Sequence, residues 1–313
     1  MMIAERATAI SSFDQHRFSM MPSPLLSTQA LQQKLQNPMA DILVVDCSFD
    51  LSDPAAGRRA HDAAHIPGAV YVSLDDSLSA AKTGRNGRHP LPERSSFARA
   101  MAALGVNQDT LVVAYDNSGS MYAARLWWML RWAGHAAAAV LDGGLAAWQA
   151  EGGAKSLAVD ALSAARSSGR KAGNFMLRDS LVSAASYAEV LANVGSGERL
   201  VIDARAPDRF RGENETLDPV GGHIPGAVNR LFRDNLGADG RFKPAARLRS
   251  DFLALIGDRP TSLLIHQCGS GVTACHNLLA MEIAGLTGAA LYPGSWSEWC
   301  AQAEAPIATG ALR

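Results

Sequence analysis

The sequence predicts an α/β protein of two tandem domains with the same build, each a parallel sheet flanked by helices. Three observations lead there. The segment HIPGAV occurs at 65–70 and again at 223–228, 158 residues apart. ILVVDC (42–47), TLVVAYD (110–116) and LDGGLAAW (141–148) are likewise answered by LVIDAR (200–205), SLLIHQC (262–268) and YPGSWSEW (292–299), at offsets of 151 to 158. A period that long is a whole domain duplicated, since solenoid units run to a few tens of residues. The apolar runs are short and rich in β-branched residues, and they lack clean alternation, as in strands covered on both faces. The helical stretches YAARLWWMLRWA and ACHNLLAMEIA run up to Gly134 and Gly285, each placed for a left-handed cap.

A chain of 313 residues suits two domains of ordinary size. The expected layout is a disordered tail over 1–24, a first domain over 25–151, a linker over 152–174 and a second domain over 175–313. The linker is read from its Ala, Ser, Gly and basic composition. In each HIPGA segment, Ile-Pro imposes an extended residue and Gly a turn, so it reads as a rigid lead-in to a strand whose histidine bonds backbone. Trp127, Trp128, Trp296 and Trp299 read as core packing.

Lys+Arg is 29 against Asp+Glu 30, with no long block of one sign, so no net field would collect nucleic acid or an anionic membrane. A small-molecule partner is expected. No apolar run approaches the roughly eighteen residues of a spanning helix. The first two dozen residues mix both charges and lack an apolar stretch, unlike a secretory signal. Four cysteines without a CxxC resemble neither a disulfide framework nor a zinc site, and a reducing compartment, the cytoplasm, is expected.

The chemistry concentrates in HQCGSGVTACHN, residues 266–277. Cys268 closes an apolar run, and in a parallel sheet ligands sit at the carboxyl ends of strands. The loop Gly269-Ser270-Gly271-Val272-Thr273 can curl so that its amides converge as an anion-binding nest at a helix start. A free thiol titrates at about 8.5, and making most of it thiolate at neutral pH takes only about 2.7 kcal/mol. Cys47, Cys275 and Cys300 are expected to be structural. A cysteine phosphatase needs Cys-x5-Arg, and the sixth residue after Cys268 is Ala274. Gly269, Gly271 and Ala274 also spell G-x-G-x-x-A, but no acidic residue closes the following strand as a dinucleotide site requires. Sulfur transfer through a persulfide remains the third reading.

The paired HIPGA segments, DAR-x3-RF-x-G at 203–212, CGSGVTAC at 268–275 and GSW-x2-W at 294–299 together resemble the tandem-rhodanese sulfurtransferases over nearly the whole chain from about residue 25. The CGSGVT loop is similar to that of the 3-mercaptopyruvate branch. Thiosulfate-preferring relatives place basic residues after the cysteine, where this chain has Gly269 and Ser270. The resemblance implies a donor, 3-mercaptopyruvate or thiosulfate, an acceptor such as cyanide, a small thiol or thioredoxin, and no metal or organic cofactor, since sulfur itself is carried. It implies Cys268 as the nucleophile, Ser270 and Asp75 as a proton relay, and Arg209 as the clamp for the donor carboxylate. Gly269, Gly271, Val272 and Thr273 would form the binding loop, and His89 would lie at the domain interface.

Two departures stand out. The branch's second arginine, in a Glu-Pro-Arg segment, is missing from the shorter ENETLDPVGG (213–222), and Asp116 stands in the first domain where the second has Cys268. A non-catalytic rhodanese-like scaffold, or a relay that only accepts persulfide from another protein, is the alternative from another class.

Overall fold

The computed structural model describes residues 23–154 and 170–311, so nearly all of the expected tail and most of the expected linker lie outside the described residues. The first sheet contains β1 (Leu25–Leu26), β2 (Ile42–Asp46), β3 (Val70–Tyr71), β4 (Leu111–Tyr115) and β5 (Ala138–Leu141) in the order β1-β5-β4-β2-β3. The second contains β6 (Ser183–Ala184), β7 (Leu200–Asp203), β8 (Val228–Asn229), β9 (Leu264–Gln267) and β10 (Ala290–Leu291) in the order β6-β10-β9-β7-β8. Every pairing within the two sheets is parallel. The duplication read from the sequence is therefore a duplication of topology, with β4 and β9 as equivalent central strands.

Both central strands are buried along their length, apart from Leu111 at the start of β4, because helices cover both sheet faces. That explains the unalternating runs. The helix Ala123–Trp132 follows β4, and its equivalent Thr273–Ile283 follows β9. They end as expected, with Gly134 at φ +88° and Gly285 at φ +69°. These helices pack on one another across the domain interface, joined by the Arg131–Glu282 ion pair at 2.9 Å. A helix pressed between its own sheet and a partner helix is buried all round, and only Trp132 of Ala123–Trp132 keeps appreciable exposure.

The four tryptophans singled out are at most 1% exposed, each contributing roughly 1.5–3 kcal/mol of burial. In the HIPGA segments, Gly68 and Gly226 both sit at φ +79°. His65 Nδ1 donates to the His61 carbonyl and His223 Nδ1 to the Phe210 carbonyl, each at 2.8 Å, the backbone role expected of them. From Arg170 to Leu181 the chain runs back along the first domain. The Gly173 amide donates to Ala102 O, the Phe175 amide to Val106 O and the Leu181 amide to Arg131 O before β6 begins.

Candidate active site

The two loops that leave β4 and β9 meet at the domain interface, so the second domain's loop is walled by the first domain. Cys268 follows β9 directly and is 2% exposed. Its loop is bolted to the 294–299 turn. The Cys268 amide donates to Ser295 Oγ at 3.1 Å, and Cys268 O and Gly269 O each accept an amide of that turn at 2.9 Å. Gly271 has φ +74°, and a Cβ there would overlap the Pro293 carbonyl, so only glycine fits. The Ser270 amide points at Cys268 Sγ from 3.5 Å.

The first domain displays the corresponding loop with an anion in place. Asp116 Oδ1 accepts the amides of Ser118 and Ser120 at 2.7 and 2.9 Å, and Oδ2 accepts those of Tyr122 and Ala123 at 2.8 and 2.9 Å. Burial pushes this carboxyl upward, and the four amides pull it back toward the ionised form. Gly119, at φ +70°, matches Gly271, although Ser120 has φ +69° where Val272 has −92°. The positions equivalent to the four donors are Ser270, Val272, Ala274 and Cys275. A carboxylate oxygen lies two bonds from Cβ, whereas Sγ lies one bond away. Of the four equivalent amides, that of Ser270 is directed at Cys268 Sγ, while that of Cys275 donates to Val272 O at 3.0 Å.

Ser270, His89 and Asp75 form a chain leading away from the thiol. Ser270 Oγ and His89 Nδ1 are 2.8 Å apart, and His89 Nε2 lies 3.8 Å from Asp75 Oδ1, which Lys82 Nζ approaches at 3.0 Å. Burial, reinforced by the Arg125 charge, pushes His89 down to about 3, so it is a neutral imidazole at physiological pH. Asp75 lies behind His89 and away from the cavity that opens on the thiol.

That cavity has a volume of about 340 Å³ and is lined by Cys268, Gly269, Ser270, Val272, Thr273, His89 and Arg209, along with Arg88, Arg205 and Arg233. The bare Cα of Gly269 makes room for guanidinium groups. A Cβ there would lie 2.7 Å from Arg88 Nη2 and 3.8 Å from Arg209 Nη1. Arg209, on the short helix Pro207–Arg211, gives Nε and Nη2 to Glu215 at 2.7–3.1 Å, which leaves Nη1 without a carboxylate among the described residues. Arg88 Nη1 pairs with Asp218, and buried Arg205 pairs with Asp203 at 2.7 Å and Glu215 at 3.4 Å. Burial acts to raise the Glu215 carboxyl, but the Arg209 guanidinium and the amides of Leu217 and Asp218 hold it below the ordinary range. Three arginines thus face Asp203, Glu215 and Asp218. Glu215 and Asp218 lie in ENETLDPVGG (213–222), the segment that lacks an arginine.

Sequence reasoning passed over Arg125. It is fully buried in Ala123–Trp132 and reaches across the interface, donating to Gly271 O and His89 O at 3.0 Å each and to Leu78 O at 3.4 Å. It ties the cysteine loop to the histidine, has no carboxylate partner among the described residues, and has its proton affinity lowered by burial. An arginine inside YAARLWWML was the available signal, since a charge in an all-apolar helix must have a designed partner. Arg88, directly before His89, carried no such mark.

The sequence matches the rhodanese-like domain family twice, over residues 27–151 and 186–302. The chain belongs to the rhodanese family. It is 45% identical over 293 residues to a probable 3-mercaptopyruvate sulfurtransferase of Pseudomonas aeruginosa, covering 93% of this chain and 100% of that one. It is 36% identical over 265 residues to the thiosulfate sulfurtransferase of Bos taurus, covering 82% and 84%. Among solved structures, SseA from Escherichia coli, a 3-mercaptopyruvate sulfotransferase, superposes with a TM-score of 0.71 at 30% identity, covering 88% of this chain and 99% of that one. The expectation of two tandem rhodanese domains is borne out.

Proposed function

We propose that this rhodanese moves a sulfur atom from 3-mercaptopyruvate to a thiol or cyanide through a persulfide on Cys268. The observation that supports this is the pair of equivalent loops: one closes four amides on the Asp116 carboxylate, and the other sets Cys268 at the same place with the Ser270 amide directed at its Sγ.

The donor carboxylate sits on Arg209 Nη1 and Arg88 Nη2, which converge over Gly269. Cys268 thiolate attacks the donor sulfur. The Sγ–Sδ bond forms, the C–S bond breaks, and its electron pair passes to carbon as the enolate of pyruvate. The donor's thiol proton ends on that carbon through Ser270 Oγ, which His89 holds in place, so pyruvate leaves and a persulfide anion remains on the loop amides. Neutral His89 accepts from the Ser270 hydroxyl and takes no proton of its own, and Asp75 lies one step further back, 3.8 Å from the far ring nitrogen. An acceptor thiolate then takes the terminal sulfur and restores the Cys268 thiolate.

The balanced arginine–carboxylate cluster favours a monoanionic keto acid over dianionic thiosulfate. Relatives named for each donor match this chain, so the comparison of kcat/KM for the two donors, with cyanide as common acceptor, is decisive. Preference for 3-mercaptopyruvate is expected. Preference for thiosulfate would move the assignment to that donor, and turnover of neither would make the chain a relay or scaffold. This chemistry suits a reducing compartment such as the cytoplasm, which would keep Cys268 a thiol. Among the described residues no helix is long and apolar enough to cross a membrane.

A further inference from the structure

A second cavity, about 660 Å³, lies in the cleft between the domains. One wall is the first domain's loop from Asn117 to Tyr122 with Phe49–Leu51, and the other runs from Phe232 to Gly237. It adjoins the cavity over Cys268, and Leu51, Met121, Tyr122, Phe232 and Arg233 line both. A donor as small as a three-carbon keto acid needs only part of the inner cavity, whereas the outer groove is of the size that holds a ligand of some twenty heavy atoms.

Charge singles out one residue on the shared wall. Arg88, Arg205 and Arg209 each have a carboxylate partner. Exposed Arg233 has none among the described residues, and its guanidinium lies 5.7 Å from the Phe232 ring centroid. Asp50 supplies an exposed carboxylate on the same groove, and Met121, Phe232 and Leu236 supply apolar surface. An unpaired cation and an acid flanking an apolar floor suit an extended peptide with a free carboxylate and an amino group.

We propose that this groove is the acceptor subsite and that it takes a low-molecular-weight peptide thiol, its carboxylate on Arg233 and its sulfur directed over Met121 toward Cys268. The proposal rests on the sulfurtransferase reading. In its second half-reaction the peptide thiolate attacks the terminal persulfide sulfur, the Sγ–Sδ bond breaks, and the peptide leaves as a persulfide.

Two measurements test it, with glutathione as the probe. In turnover with 3-mercaptopyruvate, Arg233→Gln should lower kcat/KM for glutathione about tenfold relative to uncharged 2-mercaptoethanol, as loss of one charge-assisted contact predicts. Asn117→Trp, which fills the groove from a position outside the inner cavity, should raise KM for glutathione and leave the cyanide reaction unchanged. Calorimetry with unreactive S-methylglutathione needs no sulfur transfer, and both variants should weaken its binding. No binding by the native chain, equal losses for glutathione and 2-mercaptoethanol, or transfer to a protein dithiol alone would overturn the groove assignment. Binding of S-methylglutathione by a chain whose Cys268 takes sulfur from neither donor would instead sink the sulfurtransferase reading and leave the groove standing.

Discussion

Replacing Asp116 by Asn tests, in the domain with no nucleophile, whether this loop is built around an anion. The substitution keeps shape and one acceptor. If the amide oxygen takes the Oδ1 place, the Ser118 and Ser120 amides keep their bonds, and the new NH2 group faces the Tyr122 and Ala123 amides, donor against donor. Two buried amides lose their acceptor at about 1–3 kcal/mol each. Burying a neutral amide in place of a carboxylate offsets part of the loss, which leaves a destabilisation of about 3 kcal/mol. At about 2–4 °C per kcal/mol, Tm should fall by roughly 6–12 °C. Thermal unfolding followed by near-ultraviolet circular dichroism reads this well, because Trp127 and Trp128 lie on the helix that the loop starts. A Tm unchanged or raised would show that the amides do not converge on charge, and the parallel drawn with Cys268 would fall.

Other substitutions probe the second domain. Arg209→Ala should raise KM for 3-mercaptopyruvate about tenfold or more while changing KM for thiosulfate little, and equal small changes would remove Arg209 from donor recognition. Arg125→Met should cut kcat by about tenfold with KM nearly unchanged and with partial rescue by Arg125→Lys, because the contacts to Gly271 O and His89 O order the loop without touching substrate. A change confined to KM would contradict that positioning role. Stability should also depend on pH through buried histidines. Burial pushes His89, His266 and His276 down to about 3 from 6.5, so below 6.5 the unfolded chain binds protons that the folded chain refuses. This contribution is complete above pH 6.5 and is lost as pH falls toward 3. Urea unfolding should show about 3 kcal/mol less stability at pH 5.5 than at 6.5, and a flat profile over that interval would contradict the neutral burial of these rings.

Much of the architecture was legible because the chain states it twice. HIPGA, the strand runs and the two capping glycines repeat at matching offsets, and each observation reinforced the other. Cys268 was legible for a local reason, since a cysteine at a strand end followed by glycines dictates its own loop. Ser270 lies in that same loop, while His89 and Asp75 could be placed only by resemblance. The structure brings His89 to Ser270 and sets Asp75 one step further back, beside Lys82. What the sequence withheld is long-range pairing. Nothing in ENETLDPVGG announces that Glu215 and Asp218 would engage the arginines around Gly269, since those contacts depend on how a loop folds back over a helix. Arg125 was hidden differently. Its role spans two domains, and no period within one element reports a contact with the other domain's loop.

The most direct test of the account is the mass of the Cys268 peptide after the protein has met 3-mercaptopyruvate without any acceptor. The account predicts that this peptide gains one sulfur atom, that cyanide or a thiol removes it, and that Cys268→Ser, still folded, gains none and turns over neither donor. Sulfur found on Cys47, Cys275 or Cys300 instead, or full turnover by Cys268→Ser, would contradict it.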